Sequence, residues 1–359
     1  MKIESHRGPY QVHFVRDAIE RLKQSDPERS HLILDQNVAK LYAEQLKPLR
    51  ETLASVLVIE ATESAKSLES FPEYVSHLVA NKIRRNHKLI AIGGGIIQDI
   101  TCFIALTILR GIPWKFVPTT LLAQADSCIG SKSSINVGDA KNILGSFLPP
   151  DEILIDADFL ETLEPVDVLS GIGEIIKVHV IDGPQSFAAI QKDYDRIRAD
   201  REVLRSYNLR ALEIKKRIIE EDEFDKGPRN VMNYGHSFGH AIESATNFAI
   251  PHGLAVTIGM DMANYVSSRL KVGSEAVFAG MHQVMFRNYE SHRETEIPLE
   301  AFLNAIGKDK KNQDGKLGLI LPDADAHLAK HMVPNDQLFQ AACSDFLTRG
   351  RVEQALVGA

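Results

Sequence analysis

The sequence predicts an α/β protein, with a parallel-sheet domain over 1–165 and a mainly α-helical domain over 166–359. Three features predict it. Short apolar runs alternate with helix-spaced stretches through the first half, one of those runs closes on three consecutive glycines, and beyond residue 165 long helical patterns take over. Strand–helix alternation builds βαβ units, and these make a parallel sheet.

The runs HLILDQN (31–37), SVLVIEA (55–61), KLIAIGGG (88–95) and WKFVPTT (114–120) read as strands ending in turn or polar residues. Between them, 38–54 and 74–86 carry helical spacing. Ligands of such sheets sit at the carboxyl ends of the strands, so Asp35, Asn37, Gly93, Gly94, Gly95, Thr119 and Thr120 are expected to gather there. The glycine run opens the helical pattern IIQDITCFIALTILRG. Consecutive glycines let backbone approach a ligand closely, and a helix N-terminus offers free N–H groups to a phosphate. The run is not GxGxxG, and on its own a tight strand–helix turn is an equal reading. Likewise PTTLLAQADS (118–127) offers hydroxyls to a nucleotide but by itself is more often a structural turn.

In the second half LSGIGEIIKVHVI, the stretch 198–221, HSFGHAIESAT and GLAVTIGMDMANYVSSRL read as helices, with EEDEFDKGPRN (220–230) as a loop between them. No internal repeat is visible. A formal charge of −7 argues against general nucleic-acid binding, which needs a basic surface. The three cysteines, Cys102, Cys128 and Cys343, are widely spaced and suit reduced thiols. No apolar run reaches the roughly 20 residues that span a bilayer, and no signal core opens the chain. The expectation is a soluble, cytoplasmic protein with no membrane and no nucleic-acid partner.

Candidate chemistry lies in NYGHSFGHAIE, which sets His236 and His240 four apart on one helix face. His252 follows in IPHGLAV, and Glu174 lies in SGIGEIIK. Two imidazoles and a carboxylate with open positions make a catalytic metal set. A lone HxxxH is more often a solvated helix face, and a lone glutamate a surface charge. Cations around these groups shift the balance: Lys132 and Lys141 flank SSINVGDA, Lys177 is three after Glu174, Lys215 lies in a mixed helix, and Arg229 precedes Asn233 by four. An acidic chain with bases beside potential metal ligands suggests an anionic substrate bearing phosphate or carboxylate.

Taken together, GGGIIQD, LRG, PTTLLAQADSCIGSK, AKNILGSF, LIDADFLETL, SGIGEIIK, MNYGHSFGHAIE and PHGLAVTIGM resemble, in order and spacing, the 3-dehydroquinate synthase family of sugar-phosphate cyclases, over roughly 30–320. The resemblance implies a Rossmann-like first domain and a metal- and NAD-dependent, phosphate-eliminating cyclase of a sugar phosphate. By that resemblance Glu174, His236 and His252 bind a divalent metal, zinc or alternatively cobalt. Asp126, Lys132, Asn142, Lys177, Lys215, Arg229, Asn233, His240 and one lysine of the DKK run (Lys310 or Lys311) surround the substrate. Lys141 and Arg110 also approach it, Arg110 from a neighbouring subunit of a homodimer. Asp35, Asn37, Glu63, Lys66, Gly94, Gly95, Ile96, Asp99, Thr119, Thr120, Phe159 and Thr162 match positions that contact NAD, with Asp126 and Lys141 beside them.

The chain departs from the family pattern at GSKSS (130–134) for GGKTG, VGDAKN (137–142) for HPLGKN, Leu254 in HGLA for HGEA, and Ile108 for an aromatic residue. These departures leave the substrate open. A sedoheptulose 7-phosphate cyclase tends to lose the second histidine of GHxxGH, and here His240 stays. A cyclase of glucose 6-phosphate has no carboxylate to pair with, and here Arg229 stays. Both favour a 3-deoxy-D-arabino-heptulosonate 7-phosphate substrate. The rival classes are a metal-dependent polyol dehydrogenase and a silent scaffold.

Overall fold

The computed structural model describes residues 1–23, 26–138, 140–309 and 311–351. Among them the chain divides into two compact units. The first takes Met1–Glu164 together with Lys216–Phe224, and the second takes Pro165–Lys215 and the chain from Asp225 onward.

The first unit contains β1 (Lys2–Ile3), β2 (Tyr10–Val15), β3 (Ser30–Asp35), β4 (Ser55–Ile59), β5 (Lys88–Gly93), β6 (Trp114–Pro118), β7 (Lys132–Val137), β8 (Ala140–Phe147) and β9 (Glu152–Asp156). Seven of these form one sheet in the order β1-β2-β9-β6-β5-β3-β4, antiparallel only at β1–β2. The helices α1 (Ala18–Lys23), α2 (Gln36–Leu41), α3 (Ala43–Thr52), α4 (Phe71–Ala80) and α5 (Gly95–Thr107) connect the strands. Leu32, Ile33, Leu34, Leu89, Ile90, Ala91 and Ile92 are fully buried. A strand covered on both faces has no reason to alternate, so these read as continuous apolar runs. From β3 the chain moves outward to β4 and then returns to β5 on the other side, so strand order reverses between β3 and β5. Crevices at such a reversal take ligands.

The four strands read from the sequence are present. The stretch 38–54 is not one helix, because it breaks at Tyr42 (φ −113°, ψ 30°) between α2 and α3. Pro48 inside α3 excludes the carbonyl four residues before it from the ladder. β2, β9 and the antiparallel β7–β8 hairpin were not expected; β2 (YQVHFV) and β9 (EILID) are short runs that pair with each other across the chain, and the polar, glycine-bearing hairpin hides its alternation.

The second unit is helical: α6 (Pro165–Asp182), α7 (Pro184–Ala199), α8 (Arg201–Glu221, whose end from Lys216 is counted with the first unit), α9 (His236–Ala245), α10 (His252–Arg269), α11 (Glu275–Tyr289), α12 (Leu299–Gly307) and α13 (Gln337–Asp345). It also carries a hairpin of β10 (Lys316–Pro322) and β11 (Leu328–Pro334), absent from the sequence reading. Among the described residues no helix is long and apolar enough to cross a membrane. The three cysteines are buried and unbridged.

Candidate active site

In the helical unit three helices approach one another through glycines. A Cβ on Gly253 would lie 1.9 Å from the Ser170 carbonyl oxygen of α6, and one on Gly173 would lie 2.4 Å from the Gly253 carbonyl oxygen. Gly235, at φ +76°, caps α9 where a Cβ would meet the Val256 carbonyl oxygen of α10 at 2.7 Å. Only residues without a Cβ allow backbones this close. Each glycine is next in sequence to a candidate ligand: Gly173 to Glu174, Gly235 to His236, Gly253 to His252.

The consequence is convergence. One ligand atom from each of Glu174, His236 and His252 lies within 4.8 Å of the others. His236 Nε2 is 3.7 Å and His252 Nε2 3.8 Å from Glu174 Oε1. Glu174 is 1% exposed and its Oε1 has no hydrogen-bond partner, while Oε2 pairs with the equally buried Lys177 one turn on. A buried carboxylate oxygen left unmatched is costly unless a cation completes it.

Both rings are oriented for ligation through Nε2. His236 Nδ1 faces the Tyr234 carbonyl oxygen at 3.2 Å, and His252 Nδ1 faces Glu243 Oε1 at 3.2 Å. A donor hydrogen bond at Nδ1 fixes the tautomer and frees Nε2 for a metal. The donor set therefore fits a divalent ion of the zinc or cobalt type. Burial, with the charges of Lys177 and the neighbouring histidines, drives the His236 pKa well below its ordinary value. Burial also pulls on His252, but the Glu243 hydrogen bond and charge, with Glu174, outweigh it and raise that pKa. His240 is held down to about 4 by burial, then by His252, although its edge reaches solvent.

The other candidates of this unit lie as follows. Lys215 on α8 and Arg229 in the turn Pro228–Asn233 are buried. Asn233 Nδ2 donates to the Asn230 carbonyl at 3.2 Å. Lys311 Nζ donates to Ser237 Oγ and Asp309 Oδ2, each at 3.2 Å. Lys310 lies outside the described residues. Glu243 was missed by the sequence reading. It stands three after His240 and seven after His236, so the helical period was there to show it.

In the α/β unit the candidates gather at the carboxyl ends of β3, β5 and β6. Asp35 caps α2, accepting from the Asn37 amide at 2.7 Å, so the strand ends two residues earlier than read. Gly94 is the N-cap of α5, and no side chain caps that helix, which leaves its first N–H groups for a ligand. Ile96 follows in the first turn. A Cβ on Gly94 would press on Thr120 Cγ2 at 3.1 Å, a tight cradle of the kind a dinucleotide phosphate needs. The Thr119 amide donates to the Gly93 carbonyl at 2.9 Å, and Thr120 Oγ1 accepts from the Ala123 amide at 3.2 Å. Phe159 packs on Tyr42 with centroids 4.8 Å apart, and the Tyr42 hydroxyl bonds Thr162 Oγ1 at 3.1 Å.

A second cluster in this unit centres on Asn142. Its Oδ1 accepts from Lys66 Nζ at 3.1 Å and Ser134 Oγ at 2.8 Å, and its amide donates to Asn136 Oδ1 at 2.9 Å. Lys66 also pairs with Asp99 at 3.2 Å and Glu63 at 3.6 Å. Burial raises the Asp99 pKa to about 6 against the pull of Lys66. Lys132 and Lys141 are exposed on the hairpin, and Asp126 lies in the turn Ala123–Ser127. Arg110 is exposed at φ +67° beyond the far end of α5, about 20 Å from the glycine turn at 1.5 Å per helical residue.

Fold and cage define a class of enzyme that carries a parallel α/β unit and a helical metal-centre unit in one chain. The model for the 3-dehydroquinate synthase N-terminal part matches residues 56–170, and that for the C-terminal part matches 171–312. The chain belongs to the 3-dehydroquinate synthase family. It is 33% identical over 310 residues to the 3-dehydroquinate synthase of Alkaliphilus metalliredigens, covering 86% of this chain and 87% of that one. Among solved structures, it resembles 2-epi-5-epi-valiolone synthase from Streptomyces hygroscopicus subsp. jinggangensis, which has NAD+ and Zn2+ bound. There the TM-score is 0.82 with 25% identity, over 95% of this chain and 97% of that one. The fold is also that of a 2-deoxy-scyllo-inosose synthase complexed with carbaglucose-6-phosphate, NAD+ and Co2+: TM-score 0.82, 21% identity, 96% and 98% covered.

Proposed function

We propose that this protein is a 3-dehydroquinate synthase, converting 3-deoxy-D-arabino-heptulosonate 7-phosphate to 3-dehydroquinate and phosphate in the cytoplasm, as a homodimer. The observation that carries the reading is the buried cage of Glu174, His236 and His252, with its unmatched carboxylate oxygen. When bound, NAD would take a hydride from the substrate and return it, and a zinc or cobalt ion would acidify a substrate hydroxyl. Glu174, His236 and His252 would hold the ion. Asp35, Asn37, Glu63, Lys66, Gly94, Gly95, Ile96, Asp99, Thr119, Thr120, Phe159 and Thr162 would hold NAD, beside Asp126 and Lys141.

The chain's own groups do the rest. His240, neutral at pH 7, would accept and return a proton at the ring-opening hydroxyl, aided by Asn233. Lys177 and Lys215 would neutralise substrate anion in the helical unit; Asp126, Lys132, Lys141 and Asn142 are the substrate groups proposed in the α/β unit. Arg110 would serve from a neighbouring subunit.

Arg229 would pair with the substrate carboxylate. Its burial supports the role, because losing a buried, hydrogen-bonded charge pair between guanidinium and substrate carboxylate costs on the order of 2–5 kcal/mol. That is roughly 30- to 4000-fold in discrimination at 1.4 kcal/mol per decade. Phosphate release is therefore expected to be far faster from the heptulosonate than from sedoheptulose 7-phosphate or glucose 6-phosphate, and Arg229→Ala should abolish the preference. Equal rates from all three would refute the carboxylate pairing. Catalytic NAD should support many turnovers; one NADH per product would instead mark a dehydrogenase. One observation favours a second reading: Ser134, in the divergent GSKSS segment, hydrogen-bonds Asn142, so this chain's phosphate-side groups differ from the family pattern, as they would in a cyclase of another sugar phosphate.

A further inference from the structure

The helical unit carries two three-ligand sets that share one histidine. Beside Glu174, His236 and His252 stands a second set, His240, Glu243 and His252, whose ligand atoms also lie within 4.8 Å of one another. The sets differ in access. Glu174 is buried and closes the inner set, whereas His240 is exposed and Glu243 and His252 are half-buried. His252 stands between them, with Nε2 3.8 Å from Glu174 Oε1 and Nδ1 3.2 Å from Glu243 Oε1. Its ring lies at 27° to that of His240, with centroids 5.8 Å apart, so both rings edge the same small space. His236, His240 and Glu243 fall on one face of α9 at offsets of zero, four and seven, which is why a single helix serves both sets.

We propose that His240, Glu243 and His252 form a second divalent-cation site, filled after the inner one, through which excess metal regulates the enzyme. Two imidazoles and a carboxylate open to solvent are a sufficient donor set for zinc or cobalt. With both sites filled, His252 bridges through its two ring nitrogens and releases to solvent the Nδ1 proton that now lies against Glu243. The outer set binds more weakly because it stands open to solvent, which screens its carboxylate, and because an ion there must displace the His252 Nδ1 proton and meets the charge of the inner ion. Occupation removes the His240 lone pair from proton transfer, so turnover falls. The cation site rests on geometry alone; the inhibition rests on the reading of the preceding subsection.

The test is a titration of metal-free full-length protein with Co2+, read by visible absorption and by metal content after equilibrium dialysis against Zn2+. The expected result is two phases and two ions per chain at excess metal, with phosphate release declining along the second phase. His240→Asn and Glu243→Gln should each stop at one ion per chain, or weaken the second phase at least tenfold. His240→Asn lies at the exposed edge and leaves the inner ligands untouched, which guards against a variant that fails to fold. Saturation of the unaltered protein at one ion, or survival of the second ion in both variants, overturns the site. Two ions bound without any turnover of a sugar phosphate would sink the functional reading and leave the cation site standing.

Discussion

Lys177→Met isolates the electrostatics of the cage. Glu174 and Lys177 are each 1% exposed, and they pair one turn apart on α6. Removing one partner of such a pair strands the other charge, at about 3–5 kcal/mol. Here protonation sets a ceiling. A carboxyl group that titrates near 4.3 in water takes up a proton at pH 7 for about 3.7 kcal/mol, at 1.36 kcal/mol per unit. Metal-free Lys177→Met should therefore lose about 3–4 kcal/mol of unfolding free energy at pH 7. An ion in the cage supplies the missing positive charge and no longer competes with the ammonium. The metal-loaded variant should be nearly as stable as the metal-loaded parent, and its metal affinity higher by up to several hundredfold. Urea unfolding with and without chelator measures the first effect, and competition with a coloured chelator the second. If the metal-free variant matched the parent in stability, or if affinity fell, Lys177 would not be the counter-charge of an ion site.

Two further outcomes follow from the packing. Gly253→Ala places a methyl 1.9 Å from a backbone oxygen, so α6 and α10 must separate; metal affinity should drop at least tenfold and thermal stability with it, and an unchanged metal titration would refute the role of this contact. Fully buried His179 has its pKa lowered to about 4 by burial, so between pH 6.5 and 4 the unfolded chain binds a proton that the fold refuses. Stability from this group is present above pH 6.5 and is lost as pH falls, by about 3 kcal/mol at pH 4. The stability gap between the parent and His179→Gln should shrink by that amount from pH 7 to 4, and a gap independent of pH would count against a neutral buried imidazole.

The parts of the fold legible in the sequence are those governed by period. Fully apolar runs at 32–34 and 89–92 announced strands covered on both faces, and the spacing of His236 and His240 announced a shared helix face. What escaped was held by long-range pairing. The β7–β8 hairpin has polar and small residues on both strands, and its register depends on the partner. Asn142 could be named from a motif, but its side-chain amide is oriented by Lys66 and Ser134 and its backbone N–H is held by Asn136, and no local rule links those positions.

The cage shows the same division at its sharpest. Residue types and the family motif named Glu174, His236 and His252, yet nothing in that list explains why side chains from α6, α9 and α10 should meet. The explanation lies in their neighbours. Gly173, Gly235 and Gly253 each sit where a Cβ would come within 2.7 Å of a backbone oxygen on another helix. Helix axes ordinarily pack 8–10 Å apart, and residues without side chains at the crossing let them close that distance. A ligand one residue from such a crossing is carried to the axis of closest approach, whichever helix bears it. The sequence pattern of the site is therefore Gly–Glu, Gly–His and His–Gly, a ligand beside a contact, and the buried oxygen of Glu174 is left 3.7 and 3.8 Å from the Nε2 atoms of His236 and His252, with no side chain close enough to satisfy it. An ion fills that role without needing the volume of one.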